Sequence, residues 1–354
     1  MSNQPGGPTA AQPDRPQTTD EVAADGPGPA PADDADGSVV LLSDGSAPPP
    51  SAPGTLGLAL LATGWLAAML WSTREAIQSA TAGVTAISLS AFALPGVISA
   101  ALVAGAAVGL AASEPVTRRG DRATLRFAVA VGVGLLVGLA AALAIALSYD
   151  GNTTTRTIAG TTAAAAVIGG ALAGARNGAV IGAVASAALG TLLFVVGFSV
   201  ARDPLFNLFG AGDSQQSLVT AATWVSRTES LLAGLIAGLL AFGYLTWARR
   251  RAARRDTTVT ALRWPAYLVA GAGPGLLLLL AEVIIRVGGR SLIDLAAALS
   301  EADAVAQTSL GTSRVDNGIW VLFVGALTAM IIFGRTLSPA PETDPEPAEA
   351  GAKR

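Results

Sequence analysis

The chain has 354 residues, of which 51% are hydrophobic and 13% charged, with a net charge of −3 and a mean hydropathy of +0.54. A soluble domain carries about a quarter charged residues, so this composition excludes an ordinary globular protein and points to the bilayer. Cysteine and histidine are both absent, which excludes disulfides, Cys/His zinc sites, thiolate nucleophiles and histidine acid–base chemistry.

Residues 1–53 are rich in Pro, Gly, Ala and Asp. Asp14, Asp20, Glu21, Asp25, Asp33, Asp34, Asp36 and Asp44 stand there against one base, Arg15. Such a segment has too little apolar surface to offset its ordering entropy, so an acidic, disordered cytoplasmic tail is expected. Residues 336–354 are expected to form a second one. Between them, residues 54–335 read as a transmembrane domain.

Eight apolar runs are long enough to span: 54–71, 94–112, 127–149, 157–175, 178–200, 231–247, 264–287 and 319–333. The predicted fold class is all-α, a polytopic transmembrane helix bundle of about eight spans. Orientation follows from Arg249, Arg250, Arg251, Arg254 and Arg255, packed between the sixth and seventh runs. Cationic loops resist translocation, so this loop is placed in the cytoplasm. Alternation then puts Arg118, Arg119, Arg122, Arg126, Arg176 and Arg335 on the same side, with both termini. The expected location is the plasma membrane, multi-pass. The loop arginines are expected to meet anionic lipid headgroups rather than nucleic acid.

The fourth and fifth runs are dominated by Ala and Gly. Gly170, Gly174, Gly178 and Gly182 keep a four-residue spacing that lets backbones approach closely. The short turn at Arg176-Asn177 predicts an antiparallel hairpin buried at the centre. Residues 201–229 begin with Leu205, Phe206, Leu208 and Phe209, a stretch suited to the interface. Residues 291–307 read as an amphipathic helix, with Ser291 and Asp294 at capping-box spacing.

The second-to-third hairpin is similar to the sixth-to-seventh. Gly105 matches Gly238, Thr124-Leu125-Arg126-Phe127 matches Ala261-Leu262-Arg263-Trp264, and Gly132/Gly134 are set against Gly271/Gly273. Two four-helix repeats in the same orientation, 54–176 and 178–335, are the expected organisation.

Residues 271–275, Gly-Ala-Gly-Pro-Gly, fall about 15 Å into the seventh span. Pro274 removes an amide donor, so Gly271, Gly273, Pro274 and Gly275 form a candidate break where a substrate or ion could meet backbone carbonyls. Glu282 and Arg286 follow at i, i+4. An ionisable residue inside a span is a functional candidate, though an exposed pair near the outer boundary would be worth under about 1 kcal/mol. No nucleotide-binding loop is present, and no metal or cofactor is implied.

Tyr149-Asp150 and Gly210-Ala-Gly-Asp213 resemble the Tyr-Asp and Gly-x-Gly-Asp signatures of intramembrane aspartyl proteases and prepilin peptidases. The resemblance covers only these six residues and implies two carboxylates activating water. Both aspartates also read as turn and N-cap residues. The sequence thus favours a non-catalytic membrane scaffold, assembly factor or partner-binding subunit, its partner another protein or a second copy. A transporter using residues 271–275 with Glu282 as coupling residue competes, and an aspartyl peptidase is third.

Overall fold

The computed structural model describes residues 52–79, 83–119, 123–148, 153–175, 177–210, 212, 214–254 and 262–337. The acidic N-terminal segment, the C-terminal tail, Tyr149, Asp150, Arg176, Asp213 and Arg255 lie outside them.

The protein is an all-α bundle. Among the described residues, eight helices are long and apolar enough to cross a membrane: α1 (Thr55–Gln78), α2 (Gly83–Arg119), α3 (Ala123–Ser148), α4 (Thr153–Ala173), α5 (Gly178–Val200), α7 (Gln215–Ala253), α8 (Trp264–Gly288) and α10 (Glu301–Arg335). Two short helices, α6 (Arg202–Leu208) and α9 (Arg290–Leu299), lie at the end remote from the arginine loop. Helices are the only open-ended way to satisfy every backbone donor and acceptor in hydrocarbon, which is why the apolar runs all take this form. Side chains close several of their ends. Asn177 accepts from the Val180 amide, Ser214 from Ser217 and Ser300 from Asp303.

Three helices run well past their apolar stretch. At about 1.5 Å per residue, the 39 residues of α7 extend to about 58 Å, against a hydrocarbon core of about 30 Å. α10 has 35 residues and α2 has 37. The segment after residue 201, expected to be loop with an interfacial stretch, is therefore α6 followed by the polar first half of α7. The amphipathic helix expected over 291–307 is present only to Leu299, as α9, which buries Leu292 and Ala296; Ser300 is extended and 301–307 begin α10. Ser291 does not cap α9: Gly289 precedes the first turn, and the Ser291 hydroxyl lies 3.3 Å from that of Thr157.

The centre of the bundle is α2 together with α8, the two most enclosed spans. This corrects the expected central hairpin of α4 and α5. α4 lies on α2 and α3, α5 on α7 and α8, and the two touch each other only marginally. A short turn fixes antiparallel direction, but each helix found a larger complementary face elsewhere.

Close backbone approaches recur between the halves. A β-carbon added at Gly105 on α2 would fall 2.0 Å from the Ala166 carbonyl oxygen of α4; one at Gly238 on α7 would fall 2.6 Å from the Gly325 carbonyl oxygen of α10. Gly134 on α3 meets Ala166 and Gly170, while Gly271 on α8 meets Gly325 and Ala329. Gly138 meets Ala163, while Gly275 meets Leu322. The two α3 glycines precede their α8 partners by 137 residues, and the three α4 residues precede their α10 partners by 159. The glycine match is therefore Gly134/Gly138 with Gly271/Gly275, not Gly132/Gly134 with Gly271/Gly273. The two halves do not meet reciprocally. α2 packs on α5 and α8, whereas α3 makes no comparable contact with α7 or α10 among the described residues.

Candidate functional site

α8 carries both the Gly/Pro stretch and the acidic residue, so the site is built on this helix. Arg263 is extended and Pro265 occupies the first turn, where a missing amide costs nothing. The helix then runs unbroken to Gly288 with Pro274 inside it. The expected break is absent. Pro274 forfeits one backbone hydrogen bond, but the flanking glycines let other helices pack close enough to hold the rod together. A β-carbon at Gly275 would fall 2.3 Å from the Leu322 amide nitrogen of α10, and one at Gly273 would fall 2.3 Å from Val184 of α5. Gly271 is pressed against the Gly325 carbonyl, 2.4 Å from the same construction.

Beside Pro274 remains a void of about 10 Å³, lined by Leu102, Val103, Thr191 and Leu277 among others. That is about one water's worth of space. The Thr191 hydroxyl is committed to the Ala187 carbonyl on its own helix. Ser99 is the other polar residue in its wall, the space holds about one water, and the α8 carbonyls are not unwound toward it.

Two turns further along, Glu282 is buried at 5% exposure. Its Oε1 accepts from Arg286 Nε at 3.1 Å, and its Oε2 accepts from Arg314 Nε of α10 at 2.8 Å. The expected i, i+4 pair is present, but it is half of a three-residue clamp that ties α8 to α10. The carboxylate faces α10 beside Gly311; a β-carbon at Gly311 would be 3.6 Å from Oε1. One turn from Gly311 toward the α10 start, Gln307 is buried with its Nε2 unpartnered, and Asn317 Oδ1 is buried and unpartnered on the other side. The cluster carries one carboxylate and two guanidinium groups. Both carboxylate oxygens are occupied by donors, so the arrangement fits joining two helices.

The chain was compared with known proteins, and no family model, curated protein or solved structure matches it. The chemistry of the site therefore rests on its own geometry.

The packing glycines divide between two neighbouring helices. Gly170 meets Ala130 and Gly134 of α3, Gly174 meets Phe127, and Gly182 sits under the Tyr244 ring of α7. Gly178 has ordinary room, with Leu110 3.7 Å from a notional β-carbon. In the arginine loop, Arg250, Arg251 and Arg254 are exposed. Arg249, exposed as well, donates to the Tyr267 hydroxyl at 3.0 Å, and Tyr267 stacks on Phe333 at 4.5 Å. This ties α7, α8 and α10 together at the arginine end. The same end holds the start of α1: Tyr244 donates to the Pro53 carbonyl at 2.7 Å, and Thr55 to Glu114 at 2.5 Å.

Arg314 and Gln307 were not singled out from sequence. The signal available was Gly311, Gly318 and Gly325, spaced by seven, which marks the face of α10 turned to α8 and puts residue 314 on it.

Proposed function

We propose that this protein is a non-catalytic partner-binding or assembly subunit of the membrane. The observation that carries the reading is the filled space around residues 271–275, where α5 and α10 occupy the positions a substrate would need. A permease reading relied on a break in α8, and the helix is continuous. The aspartyl-peptidase reading gains no support, because Asp150 and Asp213 lie outside the described residues.

The projecting part of α7 supplies a surface for a partner. Ala221 and Val225 face inward, while Leu218, Val219 and Trp224 are exposed on the segment that exceeds the bilayer thickness. Apolar side chains beyond the hydrocarbon region favour burial against another protein.

The absence of native cysteine makes the test direct, since each introduced thiol is a unique reporter. Leu277→Cys and Val103→Cys should resist a membrane-impermeant maleimide from both sides, whereas Trp224→Cys and Arg250→Cys should react. Labelling of residue 277 or 103 in the folded protein would overturn the reading in favour of a water-filled path.

The arginine loop on the cytoplasmic face of the plasma membrane, with both termini on that side, is part of the same proposal, supported by the arginine asymmetry. Reporters fused after Arg254 and after Arg290 should then read opposite sides, with Arg254 inside. The same side for both would remove the topology.

A further inference from the structure

A second cavity lies away from α8, between the far ends of α1, α2, α3 and α4. It encloses about 260 Å³ and is walled by apolar side chains, among them Leu70, Val97, Ala144, Ile145 and Ile158. α1 packs on α2 but scarcely touches α3, so a seam runs between α1 and α3. Exposed Trp71 lies on its α1 side.

Arg74 sits in the cavity wall, 19 residues after Thr55. At about 1.5 Å per residue this is about 28 Å along α1, close to a full hydrocarbon thickness from the Thr55 end. Arg74 therefore stands at the opposite headgroup level, while Ala67, also in the wall, is about 10 Å deeper. The Arg74 Nε is buried without a hydrogen-bond partner, and its guanidinium carbon lies 5.8 Å from the Trp71 ring centre. Other polar groups in the wall are already committed: the Thr73 hydroxyl donates to the Met69 carbonyl and that of Ser148 to the Ala144 carbonyl. The cavity thus joins an apolar interior to a single guanidinium with a free donor.

We propose that this cavity is a lipid site that takes one acyl chain of an anionic phospholipid from the surrounding leaflet, with the phosphate held by Arg74. An apolar chain fills a space that water would occupy unfavourably, and the phosphate supplies the acceptor that Arg74 Nε lacks. A zwitterionic lipid offers the same chain but no net charge, so the site distinguishes headgroups through Arg74.

The test uses Trp71 as reporter. In full-length protein with its other tryptophans replaced by phenylalanine, reconstituted in phosphatidylcholine vesicles, brominated phosphatidylglycerol at one-tenth of the lipid should quench Trp71 as though enriched roughly fivefold over the same fraction of brominated phosphatidylcholine. Arg74→Gln should abolish the headgroup preference while leaving the fold intact by circular dichroism. Ala144→Phe, which fills the cavity, should reduce quenching by phosphatidylglycerol to the bulk level with Arg74 still present. A protein retaining Trp320, exposed on α10 away from the cavity and the arginine loop, in place of Trp71 should show no preference. Equal quenching by the two lipids, or a preference that survives Arg74→Gln, would overturn the proposal. A preference that survives Ala144→Phe would overturn the chain-binding part.

Discussion

Gly275→Ala is expected to destabilise the protein by about 2 kcal/mol or more, a large effect for one added methyl group. The new β-carbon would lie 2.3 Å from the Leu322 amide nitrogen, 2.5 Å from its α-carbon and 2.6 Å from the Gly318 carbonyl oxygen. All three are backbone atoms of α10. A flexible side chain could swing aside, but a helix backbone must move as a unit, carrying Gly325 away from Gly271 and Arg314 away from Glu282. Gly138→Ala, the counterpart on α3, should lose less, because its nearest neighbour, the Ala163 carbonyl oxygen, would be 2.7 Å away. Gly132→Ala provides the control, with open space around it. There the better helix propensity of alanine should leave stability unchanged or slightly higher. The check is unfolding of the purified protein in mixed micelles, followed by circular dichroism. Equal stability of the Gly275 and Gly132 variants would mean that α8 and α10 do not approach as described.

The positions of the spans were legible because each apolar run is what hydrocarbon selects, and each of the eight coincides with a helix to within two residues at any end where the run extends beyond it. Their lengths were not. Residues 215–230 and 308–318 are polar enough to look like loops, yet they are helical because they continue rods already nucleated in the membrane, α7 and α10, which pack on each other. Hydropathy reports only the solvent a segment prefers, not where its backbone pattern stops. Pro274 misled in the opposite direction. Proline inside a helix removes one bond, but in a membrane the alternative to helix is unsatisfied backbone, and close packing at Gly271 and Gly275 favours continuity.

Pairing between distant helices was the least legible feature. The Gly170 to Gly182 series was read as one interface because it is continuous in sequence. In the structure it divides between α3 and α7, since a helix pair joined by a short turn need not share its small-residue faces. Gly105 and Gly238, aligned from sequence, each press on a backbone carbonyl of a neighbouring helix, and the contacts align Gly134 and Gly138, rather than Gly132 and Gly134, with the α8 glycines.

Glu282 illustrates how a partner missing from the sequence reading changes a magnitude. As an i, i+4 pair with Arg286 alone, the glutamate would contribute under about 1 kcal/mol, since Arg286 is 60% exposed. The added bond to Arg314, at 27% exposure, joins two spans and leaves the carboxylate 6% exposed. Glu282→Leu should therefore cost about 2–4 kcal/mol, near the lower part of the range for breaking buried pairs, because both arginines retain access to water. The loss arises largely from Arg314, which would remain against α8 with no acceptor. Replacing both, as Glu282→Leu with Arg314→Met, should restore a substantial part of the stability, because two apolar side chains of similar size remove the desolvation cost along with the attraction. Arg286→Met alone should be nearly neutral. A double-mutant cycle on unfolding in mixed micelles measures the coupling. Strong coupling between residues 282 and 314, with little between 282 and 286, is the expected outcome. Additive effects at 282 and 314 would show that the clamp does not hold α8 to α10, and would return Glu282 to the role of a residue free to bind something else.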